Sequence, residues 1–389
     1  MDPVLNPYSP GSGVAPRVLA GRDPDILAFE TLIIRTGRQM PARPIILSGL
    51  RGVGKTVLLN RLRGLADAHN WLTVQFEARP GDNGKAVARR SIAQGLIKAS
   101  FKYRSKATLE PVKNMLASVT SFSLGLGVEG INLGVERDSS RASTGSLELD
   151  LEDVVQDIGL AIRGEGKGLC IFIDEMQDLD DDLTEALIAA QHFANQRELP
   201  FFLIGAGLPS LPAHLADSRS YAERLFDYRT VGRLNVPSAR ESLAGPVEDL
   251  DAQYSDEAME VMLRESGCYP YFLQEFGSAM WAVAETSPFT AEAARAAALV
   301  GKASLDSGFF PSRWDRATPA ERDYLSAMAQ DGEGPSLSGN VAERIGKKIT
   351  SLGPARAGLI SKGLIYSPEH GKVAFTVPGM ADFIHRREP

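Results

Sequence analysis

Cysteine, histidine and long apolar runs are scarce in this chain of 389 residues. The two cysteines, Cys170 and Cys268, are too few for a disulfide framework and form no CxxC pair, so we expect a reducing, cytoplasmic environment. The five histidines show neither HExxH nor Cys/His spacing, which argues against a zinc-type catalytic site. No apolar run approaches the roughly 20 residues that cross a bilayer, and no export signal is visible, so no membrane partner is expected.

Basic residues are fewer than acidic residues, but the excess of acidic residues is not uniform along the chain. The chain contains 42 Lys and Arg against 49 Asp and Glu, a net charge of −7, which does not suit a general nucleic-acid coat. Residues 311–389 nevertheless contain 11 Lys and Arg against 9 Asp and Glu, a net charge of +2, which leaves −9 for the remainder. The C-terminal segment is therefore predicted to be a distinct module with its own partner.

The composition and the apolar pattern define the fold class. Hydrophobic residues make up 43% of the chain and charged residues 23%, which excludes general disorder. Strand patterns alternate with helical patterns. The strand patterns are apolar runs at residues 44–48, 169–173 and 201–204 and an alternating stretch at 71–77, and the last strand is expected at residues 227–234. This alternation predicts an α/β fold with a parallel sheet covered by helices on both faces.

The same patterns divide the chain into four segments. Residues 1–21 are predicted to form an irregular arm, because Pro, Gly and Ser dominate their second half. Residues 22–236 form the α/β core, and residues 237–310 show only helical patterns. Residues 311–389 show three helices followed by two strands, which is the order of a winged-helix domain.

The core contains a long insertion, residues 106–149. Within it, residues 121–136 alternate with period 2 and predict a β-hairpin. An insertion of this length is either functional, for example as a partner-binding element, or a tolerated surface loop.

A glycine-rich turn follows the first predicted strand. Its sequence, GLRGVGKT from Gly49 to Thr56, fits the phosphate-binding pattern G-x-x-x-x-G-K-[ST]. The glycines let backbone N–H groups approach phosphates, and the following helix directs its positive end at the anion. The candidate nucleotide contacts are Gly49, Arg51, Gly52, Val53, Gly54, Lys55, Thr56 and Val57. Lys55 is expected to contact the terminal phosphates, and the Thr56 hydroxyl is expected to bind Mg²⁺.

Two carboxylates end the strand at residues 169–173. Asp174 is the candidate Mg²⁺ ligand, directly or through water, and Glu175 is the candidate residue that polarises the attacking water. Acidic residues that follow a buried strand, in a chain with a phosphate-binding loop, predict hydrolysis of a Mg²⁺-bound nucleotide.

These motifs and the segment order resemble AAA+ ATPases. The initiator branch (Orc/Cdc-type and archaeal-type) and the related STAND switch ATPases are the most similar, over residues 14–387. The resemblance implies ATP or ADP with Mg²⁺ as cofactor, a helical lid at residues 237–310, a C-terminal winged helix and a homo-oligomer.

The resemblance also implies further site residues. Residues 16–19, which include Pro16, Arg17 and Val18, correspond to the segment that contacts adenine. Pro270 resembles the proline of the STAND G-x-P pattern, which contacts the base, so Pro270 and Tyr269 are candidate base contacts. The polar residue that usually follows the 201–204 strand is missing, because Ala206 stands between two glycines. This sensor-1 position is therefore degenerate, and the resemblance then implies slow hydrolysis.

An arginine finger, which reaches the nucleotide of a neighbouring subunit, is implied near residues 219–224. Arg224 is the better candidate and Arg219 the alternative; a surface or ion-paired arginine is the competing interpretation.

The last predicted helix, residues 350–363, would be the recognition helix of a winged helix. Helical spacing directs Thr350, Pro354, Ala357 and Ser361 outward. Six cations surround this face: Arg344, Lys347, Lys348, Arg356, Lys362 and Lys372. They suit contacts to the phosphates of duplex DNA, which position a protein without reading sequence. A winged helix that binds protein is the alternative.

Three functions remain open from sequence. The first is an ATP-dependent DNA-binding protein that assembles on DNA, and the second is a STAND-like signalling switch whose winged helix binds protein. The third is a scaffold that binds nucleotide without hydrolysing it.

Overall fold

A five-stranded sheet forms the centre of the N-terminal half. The computed structural model describes residues 1–106, 108–128, 133 and 142–387. The strands of the sheet are β1 (Ile45–Ser48), β2 (Leu72–Glu77), β3 (Leu169–Asp174), β4 (Phe201–Gly207) and β5 (Asp227–Thr230). Their order is β2-β3-β4-β1-β5, and the pairings are parallel.

The central strands β1, β3 and β4 are buried along their whole length, which is why their sequences are uninterrupted apolar runs. β5 lies at the edge and is only partly buried. It ends at Thr230, earlier than the predicted end at residue 234. In a parallel sheet all carboxyl ends meet at one edge, so the loop after β1 and the acids that end β3 lie on the same side.

Helices cover both faces of this sheet. They are α1 (Asp23–Gly37), α2 (Lys55–Ala68), α3 (Gly81–Ser100), α4 (Glu110–Gly125), α5 (Leu147–Ile162), α6 (Asp181–Gln196), α7 (Leu211–Ser218) and α8 (Ala222–Leu225). Phe29 of α1 and Leu62 of α2 pack on one face with Phe172, whereas α3 to α6 pack on the other face. The predicted fold class, a parallel α/β sheet between two helical layers, is confirmed.

The insertion differs from its prediction. Residues 121–125 are the last turns of helix α4, so the β-hairpin predicted for residues 121–136 is wrong in that part. Buried Val112, Met115 and Val119 continue to Phe122 at helical spacing, and this longer stripe overrides the local alternation. The remainder of the predicted hairpin lies outside the described residues, apart from 126–128 and 133.

Two further regions follow the sheet. The helical region consists of α9 (Val236–Glu248), α10 (Asp256–Ser266), α11 (Pro270–Val283) and α12 (Ala291–Ser304). A turn of π-helix, Leu305–Phe309, leads to the C-terminal region. That region contains α13 (Pro311–Trp314), α14 (Pro319–Ala329), β6 (Ser336–Leu337), α15 (Ser338–Ile345), α16 (Gly353–Ser361), β7 (Ile365–Tyr366), β8 (Lys372–Phe375) and α17 (Met380–Arg387).

The C-terminal region packs on the rest of the molecule through an apolar core. Its three strands form an antiparallel sheet of order β6-β8-β7, of which sequence analysis missed β6 and also missed α17. Phe310 stacks on Phe383 with 5.3 Å between ring centroids and meets Phe272 of α11 edge-on. One continuous apolar cluster therefore joins the sheet, the helical region and the C-terminal region.

Across the described ranges, helices of the length and apolarity needed to cross a membrane are absent.

Candidate functional site

The loop after β1 has the backbone that its glycines predict. Gly52 and Gly54 have φ of 86° and 90°, in the left-handed region where a side chain is strained. A Cβ atom on Gly49 would lie 2.0 Å from the carbonyl oxygen of Val231. The close approach of these two backbone segments therefore requires glycine at position 49. Helix α2 then begins at Lys55 and directs its N-terminus at the space enclosed by the loop.

Lys55 is a buried cation that hydrogen-bonds only to backbone among the described residues. Its Nζ donates to the carbonyl oxygens of Gly49 and Leu50, at 3.0 and 2.9 Å. Burial lowers the pKa of Lys55, and the nearby charges of Glu175 and Asp174 oppose that shift. A phosphate in the loop would compensate this desolvated charge.

Thr56, at the start of α2, and Asp174, at the end of β3, are in contact, although β4 lies between β3 and β1 in the sheet. The Thr56 hydroxyl donates to Asp174 Oδ2 at 2.6 Å. Burial raises the pKa of Asp174, and the Thr56 hydrogen bond partly opposes this. One carboxylate and one hydroxyl beside a phosphate site fit Mg²⁺, which keeps several waters and takes oxygen ligands from nucleotide phosphates. In the described ranges, no group of three or more His, Cys, Asp or Glu is placed to hold a metal by itself.

Glu175 is held by two side chains. Its backbone is left-handed, with φ of 48°. Its Oε1 lies 3.6 Å from Nη2 of Arg51, and its Oε2 accepts a hydrogen bond of 2.7 Å from Nε2 of Gln177. Arg51 itself has a buried Nε with no hydrogen-bond partner among the described residues, which is an unused donor beside the phosphate loop.

Gln177 was missed by sequence analysis. Its Oε1 accepts a hydrogen bond of 3.0 Å from the backbone N–H of Leu208, directly after β4. A Cβ atom on Gly207 would lie 2.4 Å from that oxygen, so the glycine makes room for Gln177. The Gln177 amide, from the turn after Glu175, is therefore the polar side chain that lies at the end of β4. Ala206 itself is apolar and buried.

A cavity of 550 Å³ opens over the loop. Of the predicted residues it brings together Pro16, Val18, Pro270, Glu175 and the loop from Arg51 to Val57. Asp174 reaches it through Thr56. A larger cavity, 720 Å³, lies at the amino ends of the strands and contains no residue of the phosphate loop.

Three predicted contacts are placed differently. Gly49 packs against the Val231 carbonyl oxygen and does not line the cavity. Arg17 is exposed and donates to the Pro246 carbonyl oxygen at 3.2 Å, outside the cavity lining. The Tyr269 hydroxyl donates to the carbonyl oxygen of Arg51, so Tyr269 supports the loop instead of facing a base. Tyr271, which sequence analysis missed, donates its backbone N–H to the Gly52 oxygen at 3.1 Å.

A buried arginine also supports the loop. Nη2 of Arg22 donates to the carbonyl oxygens of Val53 and Gly232, at 2.9 and 2.8 Å. Burial lowers the pKa of Arg22. No sequence motif predicts this role of Arg22, because its hydrogen-bond partners are backbone oxygens of residues distant in sequence.

The two arginine-finger candidates differ clearly. Arg219 forms ion pairs with Glu148 and Glu185, at 2.7 and 3.1 Å. Arg224 is exposed and has no ion pair with any described residue. Neither lines the cavity of its own chain.

In the C-terminal region the predicted outward face is exposed, and most surrounding cations are paired. Thr350, Pro354, Ala357 and Ser361 are all exposed. Four of the six cations are engaged within the region: Arg344 with Asp331, Lys362 with Glu321, Lys372 with Glu369, and Arg356 with the Ser367 hydroxyl. Lys347 and Lys348 are exposed and form no ion pair in the part of the chain that the structure describes.

The loop, the parallel sheet and the acids after β3 define a P-loop ATPase fold of the AAA+ type. Residues 18–204 match the AAA ATPase domain family, and residues 307–384 match a domain of unknown function (DUF8462). No curated protein sequence matches the chain.

Three solved structures are similar to this chain to different degrees. A Walker-type ATPase of Pyrococcus abyssi is similar at a TM-score of 0.55 and 14% identity, with 94% of this chain and 96% of that chain covered. Cdc6p of Pyrobaculum aerophilum gives a TM-score of 0.48 at 12% identity over 99% and 97% of the two chains. The RuvB Holliday junction branch migration motor of Thermotoga maritima gives 0.45 at 14% identity over 97% and 99%. Only the first exceeds 0.5, so the fold similarity rests on that structure.

Proposed function

We propose that the protein binds ATP with Mg²⁺ at the P-loop, hydrolyses it slowly, and uses the nucleotide state to control assembly of a homo-oligomer. One observation carries this proposal: Lys55, Thr56, Asp174 and Glu175 converge at the carboxyl edge of the sheet, at the 550 Å³ cavity.

Each residue has a distinct role in this proposal. Lys55 binds the terminal phosphates, and Thr56 and Asp174 hold Mg²⁺, which when bound neutralises charge on the phosphates. Glu175 polarises the attacking water, with its orientation fixed by Gln177. Apolar Ala206 at the end of β4 leaves this position without a polar side chain of its own, which is why we expect low turnover.

The flanking segments complete the nucleotide site. Residues 1–21 act as an arm over the pocket and residues 237–310 as a lid. In support, the Ser9 N–H donates to Gln274 Oε1 of α11 at 3.2 Å, and the Tyr8 hydroxyl donates to the Leu243 carbonyl oxygen at 2.5 Å. Residues on both sides, among them Pro16 and Pro270, line the cavity.

Residues 311–389 form a winged helix in this proposal, and duplex DNA is its first candidate partner. The element order α14, β6, α15, α16, β7, β8, with its three short strands antiparallel, supports this assignment. The exposed pair Lys347 and Lys348, next to the small polar face of α16, supports phosphate contacts.

A STAND-like switch that binds protein is the second candidate, and one contact favours it. The backbone N–H of Arg51, in the P-loop, donates to the carbonyl oxygen of Thr376 at 2.9 Å. The Arg51 guanidinium also lies against Gly363, where a Cβ atom would be 2.5 Å away. The C-terminal region thus rests on the loop that binds nucleotide, so nucleotide binding and the position of this region are coupled.

Size-exclusion chromatography tests the proposal. We expect earlier elution with a non-hydrolysable ATP analogue and Mg²⁺ than with ADP. Co-elution of duplex DNA with the assembled protein would support the DNA partner, and assembly without DNA binding would favour the protein switch. Identical elution with ADP and the analogue would contradict control of assembly by nucleotide.

A further inference from the structure

The 720 Å³ cavity lies at the opposite end of the sheet from the P-loop, and the proposed function gives it no role. It is bounded by helix α1 and by the loops that lead into β1, β3 and β4. Its volume is within the range of about 300–1,000 Å³ that is typical of sites for small molecules. A ligand in this cavity would not compete with a nucleotide, because no residue of the P-loop lines it.

The inner wall of this cavity is apolar. Five buried apolar side chains form it: Leu32, Ile45, Ile162, Leu199 and Phe202. Leu27 and Met40 line the same cavity but are 63% and 45% exposed. Large apolar side chains that remain in contact with water in a concave site favour a ligand with an apolar body, because its binding removes that surface from water.

The charged residues around the apolar wall leave an excess of positive charge. Six of them line the cavity: Arg35, Arg43, Arg163, Lys167, Glu198 and Asp227. Two are paired with residues outside the lining, since Lys167 lies 2.6 Å from Glu165 and Asp227 lies 3.2 Å from Arg229. The other four form no ion pair with any described residue. Three arginines and one glutamate therefore remain, with a net charge of +2.

Two of these arginines are held in place by backbone carbonyl groups. Nε of Arg35 donates to the Pro41 oxygen at 2.7 Å, and Nη2 of Arg43 donates to the Phe226 oxygen. A carbonyl group orients a guanidinium without neutralising its charge, and the other N–H groups can still bind both oxygens of a carboxylate. Because the side chains are already ordered, the entropic cost of binding an anion is reduced.

The helices around the cavity limit how much negative charge it can accept. Helices α1, α5 and α6 all end there. The negative C-terminal ends of their dipoles oppose a multiply charged anion such as a phosphate. A single carboxylate therefore suits the cavity better.

We propose that this cavity binds an amphipathic carboxylate, in which an acyl chain or a ring system contacts the apolar wall. The carboxylate group lies among Arg35, Arg43 and Arg163. This site does not need nucleotide at the P-loop, so the inference and the proposed function can fail separately.

Calorimetric titration of the full chain without nucleotide tests the inference. The probes are octanoate and naphthoate, each below the concentration at which it forms micelles, and the uncharged analogues are octanol and naphthalenemethanol. We expect at least one carboxylate to bind. Its alcohol analogue should bind about tenfold more weakly, because the charge-assisted contact to arginine is missing.

Arg163→Met and Ala28→Phe test the two parts of the site separately. Arg163 is exposed, so Arg163→Met removes a charge without disturbing the core, and it should weaken carboxylate binding about tenfold while alcohol binding stays unchanged. Ala28 is half-buried and lines the cavity, so Ala28→Phe fills part of it and should weaken binding of both probe classes. Thermal unfolding of each variant shows whether it is folded.

Arg38→Met is the matched control. Arg38 is an exposed cation directly after α1, forms no ion pair with any described residue and does not line the cavity. Its affinities should match those of the wild type.

Absence of binding by both carboxylates would overturn the inference. Equal affinities for a carboxylate and its alcohol analogue would overturn the role of the arginines. Binding that neither Arg163→Met nor Ala28→Phe weakens would place the probe outside this cavity and overturn the site. A wild type that binds a carboxylate but no ATP would contradict the proposed function and leave this inference intact.

Discussion

At the residue scale, the site depends on how Glu175 is held. Its carboxylate is bound by Gln177 and lies near Arg51, and its backbone is in the left-handed region. Backbone strain of this kind persists only where surrounding contacts over-determine it, as at functional sites. The contacts with Gln177 and Arg51 hold the Glu175 side chain in the lining of the cavity over the P-loop.

Glu175→Gln should keep ATP bound and nearly abolish turnover. The amide retains the size and the hydrogen bonding of the side chain, but it is a poor base for water. The measurement is steady-state phosphate release together with calorimetric ATP affinity. Hydrolysis at the wild-type rate would remove Glu175 from its role, and absent turnover in the wild type would favour the scaffold hypothesis.

Gln177→Ala should slow hydrolysis about tenfold while ATP affinity stays unchanged, because a hydrogen bond to a charged group is lost. The control is Gln196→Ala, since Gln196 is exposed and hydrogen-bonds His192. A parallel loss of ATP affinity would show that Gln177 stabilises the nucleotide-binding loop and does not act by orienting Glu175.

At the scale of elements, local patterns predicted the strands and the P-loop well. The apolar run before Gly49 and the spacing to Lys55 are contiguous in sequence, so strand β1, the turn and helix α2 could be predicted. The hairpin prediction failed because a short alternation was considered without the longer helical stripe of α4. Helix α5, which starts where the predicted insertion ends, was not predicted.

The rest of the site could not be predicted, because contacts distant in sequence create it. Gln177 hydrogen-bonds Leu208, Arg22 hydrogen-bonds Gly232, and Arg313 lines the same cavity as Arg51. None of these pairs has a spacing that a motif records. The placement of Arg17 could not be predicted for a similar reason, since its guanidinium donates to the Pro246 carbonyl oxygen, outside the cavity lining.

Helix α8 carries the exposed Arg224, which remains a predicted arginine finger that acts on a neighbouring subunit. Because Arg219 is held by Glu148 and Glu185, Arg224 is now the stronger candidate. Turnover per subunit should rise with protein concentration, and Arg224→Ala should slow hydrolysis without weakening ATP binding. Mixing Arg224→Ala with Lys55→Ala should partly restore activity, because an intact arginine then meets an intact pocket. No concentration dependence and no rescue would make Arg224 a surface residue.

At the scale of the whole molecule, the C-terminal region and the P-loop form one packed unit. The continuous apolar core and the Arg51 N–H bond to Thr376 join them. The charge of +2 in residues 311–389 predicted a separate partner, but the ion pairs with Asp331, Glu321 and Glu369 neutralise part of the basic surface. Those pairings could not be predicted from a count of cations.

Binding of duplex DNA should therefore be weak and should depend on few charges. If only Lys347 and Lys348 contact phosphates, the logarithm of the binding constant should fall against the logarithm of salt with a slope of about −1.8. Lys347→Glu with Lys348→Glu should abolish binding across all sequences. The measurement is fluorescence anisotropy of labelled duplex with full-length protein and ATP, at several salt concentrations.

The matched control for that pair is Lys98→Glu with Arg295→Glu, which changes the net charge equally on other exposed surfaces. Equal loss in both double variants would indicate an effect of overall charge. If the wild type does not bind duplex DNA at low salt, the partner of the C-terminal region is a protein and not DNA.

Calorimetric titration of Mg²⁺-ATP into wild type, Lys55→Ala and Arg61→Ala tests most directly the claim that the P-loop binds ATP. Arg61 is an exposed cation on the same helix and serves as the control. We predict binding by the wild type and by Arg61→Ala. Lys55→Ala should lose about 100-fold in affinity, because charge-assisted contacts to the phosphates disappear. Unchanged ATP affinity in a Lys55→Ala protein with wild-type thermal unfolding would contradict the account.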